Sequence, residues 1–472
     1  MPHSPDNLPL ALYSAAQVRA LDARLIAAGT PGFELMTRAA HAVWRALRRR
    51  WPVAGAITVL AGRGNNAGDG YLIAALALRA GWQVQVLAVG DPALLQGDAA
   101  QARDEALAAG VRIQPWSECA TLSGVVVDAL LGTGLSGAVR EPYAQAIALL
   151  NASGLPVLAV DIPSGLCADS GQVLGVAVRA QLTVTLIGLK LGLFTGIAAD
   201  WVGEVQFADL QADAQLVAAQ PFTAQRLAGR NVPQLPPRPR SVHKGQLGHV
   251  LVVAGDRGFA GAGLLAAQSA LRAGAGLVTL ATRSEHLAAA QARLPEVMAA
   301  GVASANQLRA LGAQASVWVV GPGLGQAAWG RSLLSAAQCS QALQVWDADA
   351  LNLLALGGIS MPSIAVITPH PGEAARLLGL DSAAVQDGFD LYLHGFIVSD
   401  EFFRFRGLVV LVVRSRYLHC LLLVHWWLGD NRCNWWFVHD GHDSTICHTR
   451  GLHRQVRVHQ HALQWHLSRS ST

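Results

Sequence analysis

Apolar runs of strand length recur along the first 386 residues, separated by stretches with helical spacing. In the first half, Ile57–Ala61, Val84–Val89, Val125–Asp128, Val157–Asp161 and Leu182–Ile187 are continuous and rich in β-branched residues. Between them, Tyr71–Ala80 carries apolar positions at helical spacing and stops at Gly81, and Ala99–Ala109 and Tyr143–Asn151 also read as helices. Strands that are apolar throughout, rather than alternately, fit a parallel sheet covered by helices on both faces. A proline-dense stretch, Asn231-Val-Pro-Gln-Leu-Pro-Pro-Arg-Pro-Arg240, then interrupts the pattern as an extended linker. Beyond it, a Gly248–Gly255 strand, a Leu264–Ala273 helix and a Gly276–Ala281 strand make a new βαβ unit. Val317–Gly325, Val345–Asp349 and Ile364–His370 add further strand-then-loop segments. The pattern predicts an α/β protein with two three-layer αβα domains: residues 1–225, a linker at 226–240, and residues 241–386.

Polar residues concentrate where the apolar runs end. Leu60-Ala-Gly-Arg-Gly-Asn-Asn-Ala-Gly-Asp-Gly70 follows the first strand and precedes the Tyr71 helix. A strand, a glycine-rich turn and a helix together present backbone N–H groups and the positive helix end to an anion. Glycines alone would also suit tight packing, but Asn65, Asn66 and Asp69 add groups able to bind polar substrate atoms or a cation. Val125–Ala138 and Leu158–Leu166 likewise place polar loops at strand ends, where ligands bind in open parallel sheets.

Composition narrows the class. The chain has 472 residues, 52% of them hydrophobic and 14% charged, which suits two globular domains with substantial cores. Net charge is only +4, and no basic stripe interleaved with aromatics appears before residue 386, so nucleic-acid binding is not supported. The opening residues lack the pattern of a signal peptide. Cys119, Cys167 and Cys339 are scattered, without a CxxC pair, which points to a reducing cytoplasm.

The segment GRGNNAGDG (62–70) resembles the signature of NAD(P)H-hydrate epimerases, the YjeF N-terminal family. Val125-Val-Val-Asp-Ala-Leu-Leu-Gly-Thr-Gly-Leu-Ser-Gly-Ala138 is similar to that family's second glycine loop, and Leu158-Ala-Val-Asp-Ile-Pro-Ser-Gly-Leu166 to its catalytic strand end. The resemblance runs from about residue 12 to 210 and implies a Rossmann-like fold. It also implies a substrate, NADH or NADPH hydrated across the nicotinamide 5,6 double bond, whose C6 epimers are interconverted. Inverting that hemiaminal carbon requires a group that protonates and deprotonates the departing oxygen, or assists ring opening.

Asp161 is the candidate for this acid/base work, because burial at the end of an apolar strand raises a carboxyl's pKa. The structural alternative is a cap or turn before Pro163. The resemblance further implies substrate contacts from Asn65, Asn66, Ala67, Gly68 and Asp69, and from Gly132, Thr133, Gly134, Leu135, Ser136, Gly137 and Ala138 around the diphosphate. Tyr143 is a candidate for stacking or hydrogen bonding, with simple packing as its alternative. Asn66, Asp128 and Ser164 match the family's potassium ligands. Lys190, one of only two lysines, receives no role, although a phosphate contact is open to it.

The second half resembles ADP- or ATP-dependent NAD(P)H-hydrate dehydratases, of ribokinase-like fold. The matching segments are HKGQLGHVLVVAG (243–255), GFAGAG (258–263), SALRAGAGLVTLAT (269–282), VVGPGLG (319–325), DADALN (347–352) and TPHPGEAARLLG (368–379). In that family a nucleotide phosphorylates the hydrate's hydroxyl, and loss of phosphate restores NAD(P)H. Ala262, Gly323, Gly325 and His370 match substrate-contacting positions; tight turns would also explain the two glycines. ADP or ATP is the implied cofactor, with room for magnesium. A homo-oligomer is compatible with the resemblance, and no membrane partner is expected.

The match stops near Gln386, which leaves the ribokinase-like domain incomplete. Ala462 is the only alanine after that point, and ten of the sixteen histidines lie there, with Trp426-Trp427, Trp435-Trp436, Cys420, Cys433 and Cys447. The family's KGxxT-like nucleotide loop and GNxGMATGGMGD-like motif are absent. Residues 387–472 therefore read as out-of-frame translation. A zinc site is disfavoured by the cysteine spacing, and a membrane span over Leu408–Leu428 by Arg414, Arg416 and His419. The expectation is an active epimerase joined to an inactive dehydratase. A non-catalytic nucleotide-binding module and a ribokinase-like small-molecule kinase are the alternatives.

Overall fold

The computed structural model describes residues 7–53, 55–228, 237–362 and 365–387, in two compact units. The tail, with its cysteines, tryptophan pairs and apolar Leu408–Leu428 run, lies outside the described residues, as does most of the proline-dense stretch.

The first unit begins with β1 (Ala11–Tyr13), α1 (Ala15–Ala27) and α2 (Gly32–Arg50). Ser14 and Gln17 close a reciprocal capping box that starts α1, satisfying two otherwise open N–H groups. There follow β2 (Ala56–Ala61), α3 (Asn65–Arg79), β3 (Gln83–Ala88), α4 (Gly97–Ala108), β4 (Ile113–Pro115), β5 (Val125–Ala129), α5 (Tyr143–Ala152) and β6 (Val157–Val160). The unit ends with β7 (Leu182–Leu186), β8 (Leu189–Lys190), β9 (Glu204–Ala208), α6 (Ala214–Ala218) and β10 (Ala224–Gln225).

Seven strands form one parallel sheet in the order β4-β3-β2-β5-β6-β7-β9. Side chains alternate between its faces. Val125, Val127 and Ala129 of β5 pack with α2, α3 and α4, while Val126 packs with Ala146, Ile147 and Leu150 of α5. This is the three-layer arrangement that continuous apolar strands demand. The strand order reverses between β2 and β5, and the crevice at such a reversal is where open sheets bind ligands. A separate three-stranded sheet, β10-β1-β8, was not legible in the pattern; Leu12 and Tyr13 of β1 pair in parallel with Leu189 and Lys190 of β8.

One expectation is corrected here. The glycine-rich segment is not a turn ahead of a helix starting at Tyr71, because α3 begins at Asn65 and Asn65–Gly70 are its first turns. Packing explains the helical glycines. A Cβ on Gly68 would lie 2.5 Å from Met36 Sδ, and one on Gly70 would lie 2.7 Å from Ala129 Cβ. These glycines let α3 sit directly against the sheet and α2.

The second unit contains β11 (His249–Val253), α7 (Ala260–Ala273), β12 (Leu277–Thr282), α8 (Leu287–Arg293), β13 (Met298–Gly301), α9 (Ala305–Gly312) and β14 (Val317–Val320). It continues with α10 (Ala328–Gln338), β15 (Leu343–Trp346), α11 (Asp349–Ala355), β16 (Ala365–Ile367), α12 (Pro371–Leu378) and α13 (Ser382–Asp387). Its parallel sheet runs β13-β12-β11-β14-β15-β16, reversing between β11 and β14. Leu333, Leu334, Leu351 and Trp346 build the core on one face, and Ala267, Leu280 and Ala290 build it on the other. Here too the helix starts early: α7 begins at Ala260 rather than Leu264 and takes in Gly261, Ala262 and Gly263 of the GFAGAG segment. Among the described residues, no helix is long and apolar enough to cross a membrane.

Candidate active site

In the first unit, the residues expected to act together do converge at the strand reversal. Gly64 caps α3 without a side-chain bond; its carbonyl takes the N–H groups of Ala67 and Gly68, and among the described residues those of Asn65 and Asn66 have no partner. Asn65 is exposed, whereas Asn66, Ala67, Gly68 and Asp69 are buried. The loop after β5 passes over them, with Gly132 in van der Waals reach of the Asn66 side chain. Gly137 has φ of +73°, and among the described residues the N–H groups of Thr133, Gly134, Ser136, Gly137 and Ala138 have no partner. Leu135 N–H turns inward to Gly132 O (3.4 Å), and Arg19 of α1 donates to Thr133 O (3.3 Å). Tyr143 begins α5 and is half-buried; its hydroxyl lies beside Gly90 in the loop after β3.

Asp128, Ser164 and Asn66 meet around Leu131. Asp128 accepts bonds from Ser164 N (2.8 Å), Ser164 Oγ (2.6 Å) and Leu130 N (3.3 Å). Ser164 Oγ accepts from Leu131 N (2.9 Å), and Asn66 Nδ2 donates to Leu131 O (3.1 Å). Asn66 Oδ1 is left buried with no partner. An orphaned acceptor next to a fully buried carboxyl is costly unless a cation or donor joins them. The donor set is all oxygen, which suits a hard cation. Burial pushes Asp128 up to about 6, against the pull of its Ser164 and Leu130 donors. Among the described residues, no group of three or more His, Cys, Asp or Glu side chains could hold a metal ion, and the three cysteines are free.

Asp161 follows β6 in the left-handed region, with φ of +69°, unusual for a residue other than glycine. Its N–H bonds Val184 O (2.8 Å). Its Oδ1 accepts from Leu186 N (3.0 Å) and forms an ion pair with Lys190 Nζ. Lys190 also donates to Leu186 O (2.9 Å) and Thr185 Oγ1 (3.2 Å). The phosphate contact left open for Lys190 does not fit its surroundings: Lys190 is wholly buried, and its ammonium is engaged by Asp161. A signal was present, since this chain has only one other lysine, Lys244, and Lys190 sits inside the apolar run Ile187-Gly-Leu-Lys-Leu-Gly-Leu193.

Two more carboxyls face the pair. Burial pushes Asp69 well above the usual carboxylate range; Asp161 and Asp22 push the same way and Lys190 opposes them. Asp22 of α1, which the sequence reading missed, is also raised by burial and by Asp161. The site therefore holds a buried carboxyl with a raised proton affinity near a carboxyl paired with a lysine, two unlike environments of the kind acid/base chemistry uses.

In the second unit, Ala262 and Gly323 are brought together. Gly323 has φ of +59°, and a Cβ there would lie 2.8 Å from Phe259 Cβ and 3.1 Å from Ala262 Cβ. Gly325, with φ of +72°, passes as closely over Asp256, and its N–H donates to Asp349 Oδ2 (2.9 Å). These loops follow β14 and β11, at the strand reversal. His370 follows β16, two strands away. It caps α12: Nδ1 accepts from Gly372 N (3.1 Å), and Nε2 is 3.2 Å from Glu373 Oε1. Half of the His370 side chain remains exposed, so capping leaves one face of the ring accessible. Asp256, Asp347 and Asp349, which the sequence reading did not single out, fix this rim: Arg283 donates to Asp256 (2.7 Å) and Thr368 to Asp347 (2.8 Å).

Comparison with known proteins gives the same order of two domain types. A family described as "YjeF-related protein N-terminus" matches residues 32–192, and one described as "NAD(P)H-hydrate dehydratase" matches residues 250–390. A bifunctional NAD(P)H-hydrate repair enzyme from Coxiella burnetii is 45% identical over 377 residues, covering 79% of this chain and 77% of its own. The Escherichia coli enzyme of the same name is 41% identical over 392 residues, with coverage of 82% and 75%. One from Leishmania braziliensis is 39% identical over 419 residues, with coverage of 79% and 73%. With its YjeF-type unit first and its dehydratase-type unit second, the chain belongs to the bifunctional NAD(P)H-hydrate repair enzymes.

Proposed function

We propose that the first unit interconverts the R and S forms of NADH or NADPH hydrate at C6, with Asp161 as the residue that exchanges the proton. The observation that carries this reading is the carboxyl of Asp161 at the end of β6, fixed through Oδ1 with the buried Asp69 carboxyl near it. If the C6 hydroxyl departs as water it takes up one proton, and the water that returns on the other face gives one back. A single carboxyl that gives and retakes that proton, Asp161, serves both demands. Asn65–Asp69 and Tyr143 line the nicotinamide end, and the loop Gly132–Ala138 receives the diphosphate on the open N–H groups of Thr133, Gly134, Ser136, Gly137 and Ala138. Asn66, Asp128 and Ser164 fit a potassium ion, which would neutralise the buried Asp128 carboxylate and part of the substrate's charge.

In its family the second unit's reaction takes the S hydrate, with Ala262, Gly323, Gly325 and His370 at the substrate and ADP or ATP, with magnesium, as phosphoryl donor; in this chain the nucleotide-binding segments are missing beyond residue 386 and that step is expected to be lost. Scattered free cysteines favour the cytoplasm as the place of this repair. The decisive experiment is Asp161→Asn. Epimerisation, followed by chromatographic separation of the two hydrates, is expected to fall by about 10²–10⁴-fold. An unchanged rate would favour the alternative of a non-catalytic nucleotide-binding module.

A further inference from the structure

A fully buried ammonium is rare and needs a partner for each of its hydrogens. Lys190 has three: Asp161 Oδ1, Leu186 O at 2.9 Å and Thr185 Oγ1 at 3.2 Å. None is left for a substrate phosphate. The ion pair is also lopsided, because the Lys190 side chain is 0% exposed and that of Asp161 is 17% exposed. Its cationic end is sealed in protein and its anionic end reaches the open side. All bonds to the Asp161 carboxyl end on Oδ1; among the described residues none is made to Oδ2. The other charged groups facing it, Asp22 on α1 and Asp69 on α3, are carboxyls, so Lys190 is the cation among three acids.

We propose that Lys190 is a positioning residue for epimerisation: it pairs with Asp161, occupies Oδ1 and thereby presents Oδ2 to the C6 hydroxyl. It donates no proton to the substrate and binds no phosphate. Two elements set it in place, since β8 carries Lys190 and β1 pairs with it at Tyr13. This inference rests on the assignment of proton exchange to Asp161.

The test is Lys190→Met in the full chain, which removes the charge and keeps the length. The expected result is a fall in kcat of about 10²-fold with KM for the hydrate within about 3-fold, and an acid limb of the kcat–pH profile moved to higher pH. A folded Lys190→Met protein with wild-type kcat and pH profile would overturn the proposal. So would a raised KM with unchanged kcat, which would make Lys190 a substrate-binding group. Should Lys190→Met fail to fold, Thr185→Val removes one of the ammonium's acceptors while leaving the charge. It is expected to lower kcat several-fold without changing KM, and an unchanged kcat there would equally count against the inference. Asp161→Asn separates the two claims. If it stays active, the underlying reading of Asp161 fails; if it is inactive while Lys190→Met is normal, only the role of Lys190 fails.

Discussion

At the residue scale, Asp128 shows how burial and chemistry are linked. Its folded pKa of about 6 lies above the unfolded value of 3.8, so the folded chain binds this proton more tightly than the unfolded chain does. Stability therefore falls as pH rises from about 4 to about 6, by about 3 kcal/mol for this group. In potassium-free buffer, melting temperature is expected to drop across that window, and to drop less in Asp128→Asn. Potassium should raise the melting temperature at pH 7 and change it little at pH 4, where the carboxyl is protonated. Equal melting curves with potassium and sodium at pH 7 would remove the case for a selective ion at Asn66, Asp128 and Ser164. Asp161 and the asparagines were legible as candidates because polar residues at the ends of apolar strands stand out, whereas Asp128 entered as a potassium ligand only through the family resemblance. Lys190 and Asp22 were not assigned, because their importance comes from contacts between residues far apart in sequence.

At the scale of elements, the turn from β2 into α3 has little room. Gly62 N–H bonds Ala129 O (3.0 Å), and a Cβ on Gly62 would lie 1.8 Å from the Leu130 carbonyl oxygen. Backbone cannot give way as a side-chain tip can. Gly62→Ala is expected to destabilise the first unit by about 3 kcal/mol in chemical denaturation and to displace the Leu130–Gly132 segment. Gly64, where a Cβ meets nothing within 4 Å, is the control: Gly64→Ala should stay within about 0.5 kcal/mol. The central strands were readable because burial on both faces leaves unbroken apolar runs. The helix starts were misplaced because Asn65–Gly70 and Gly261–Gly263 have poor helix propensity, and tight packing against the sheet overrides it. The two- and three-residue strands β1, β8 and β10 are too short to leave any period.

At the scale of the molecule, two sheets of the same logic each place polar loops at their own strand reversal. They differ in what the sequence supplies afterwards. The stretch beyond residue 386 holds no KGxxT-like or GMGD-like segment, and the electrostatic stabilisation such a helix start provides is worth about 10²–10³-fold. The whole chain is thus expected to epimerise the hydrate but to show no ADP- or ATP-dependent return of its absorbance to that of NADH; a return with purified protein would restore the second activity to this chain. The small sheet has a practical side. Because Leu12 and Tyr13 hold Leu189 and Lys190 in register, residues near the beginning of the sequence reach the Asp161–Lys190 ion pair through two rungs of backbone pairing. Anyone who trims the protein, or fuses a purification tag close ahead of Ala11, is altering the support of its reactive carboxylate, and a preparation that looks well folded but turns over slowly should first be checked there.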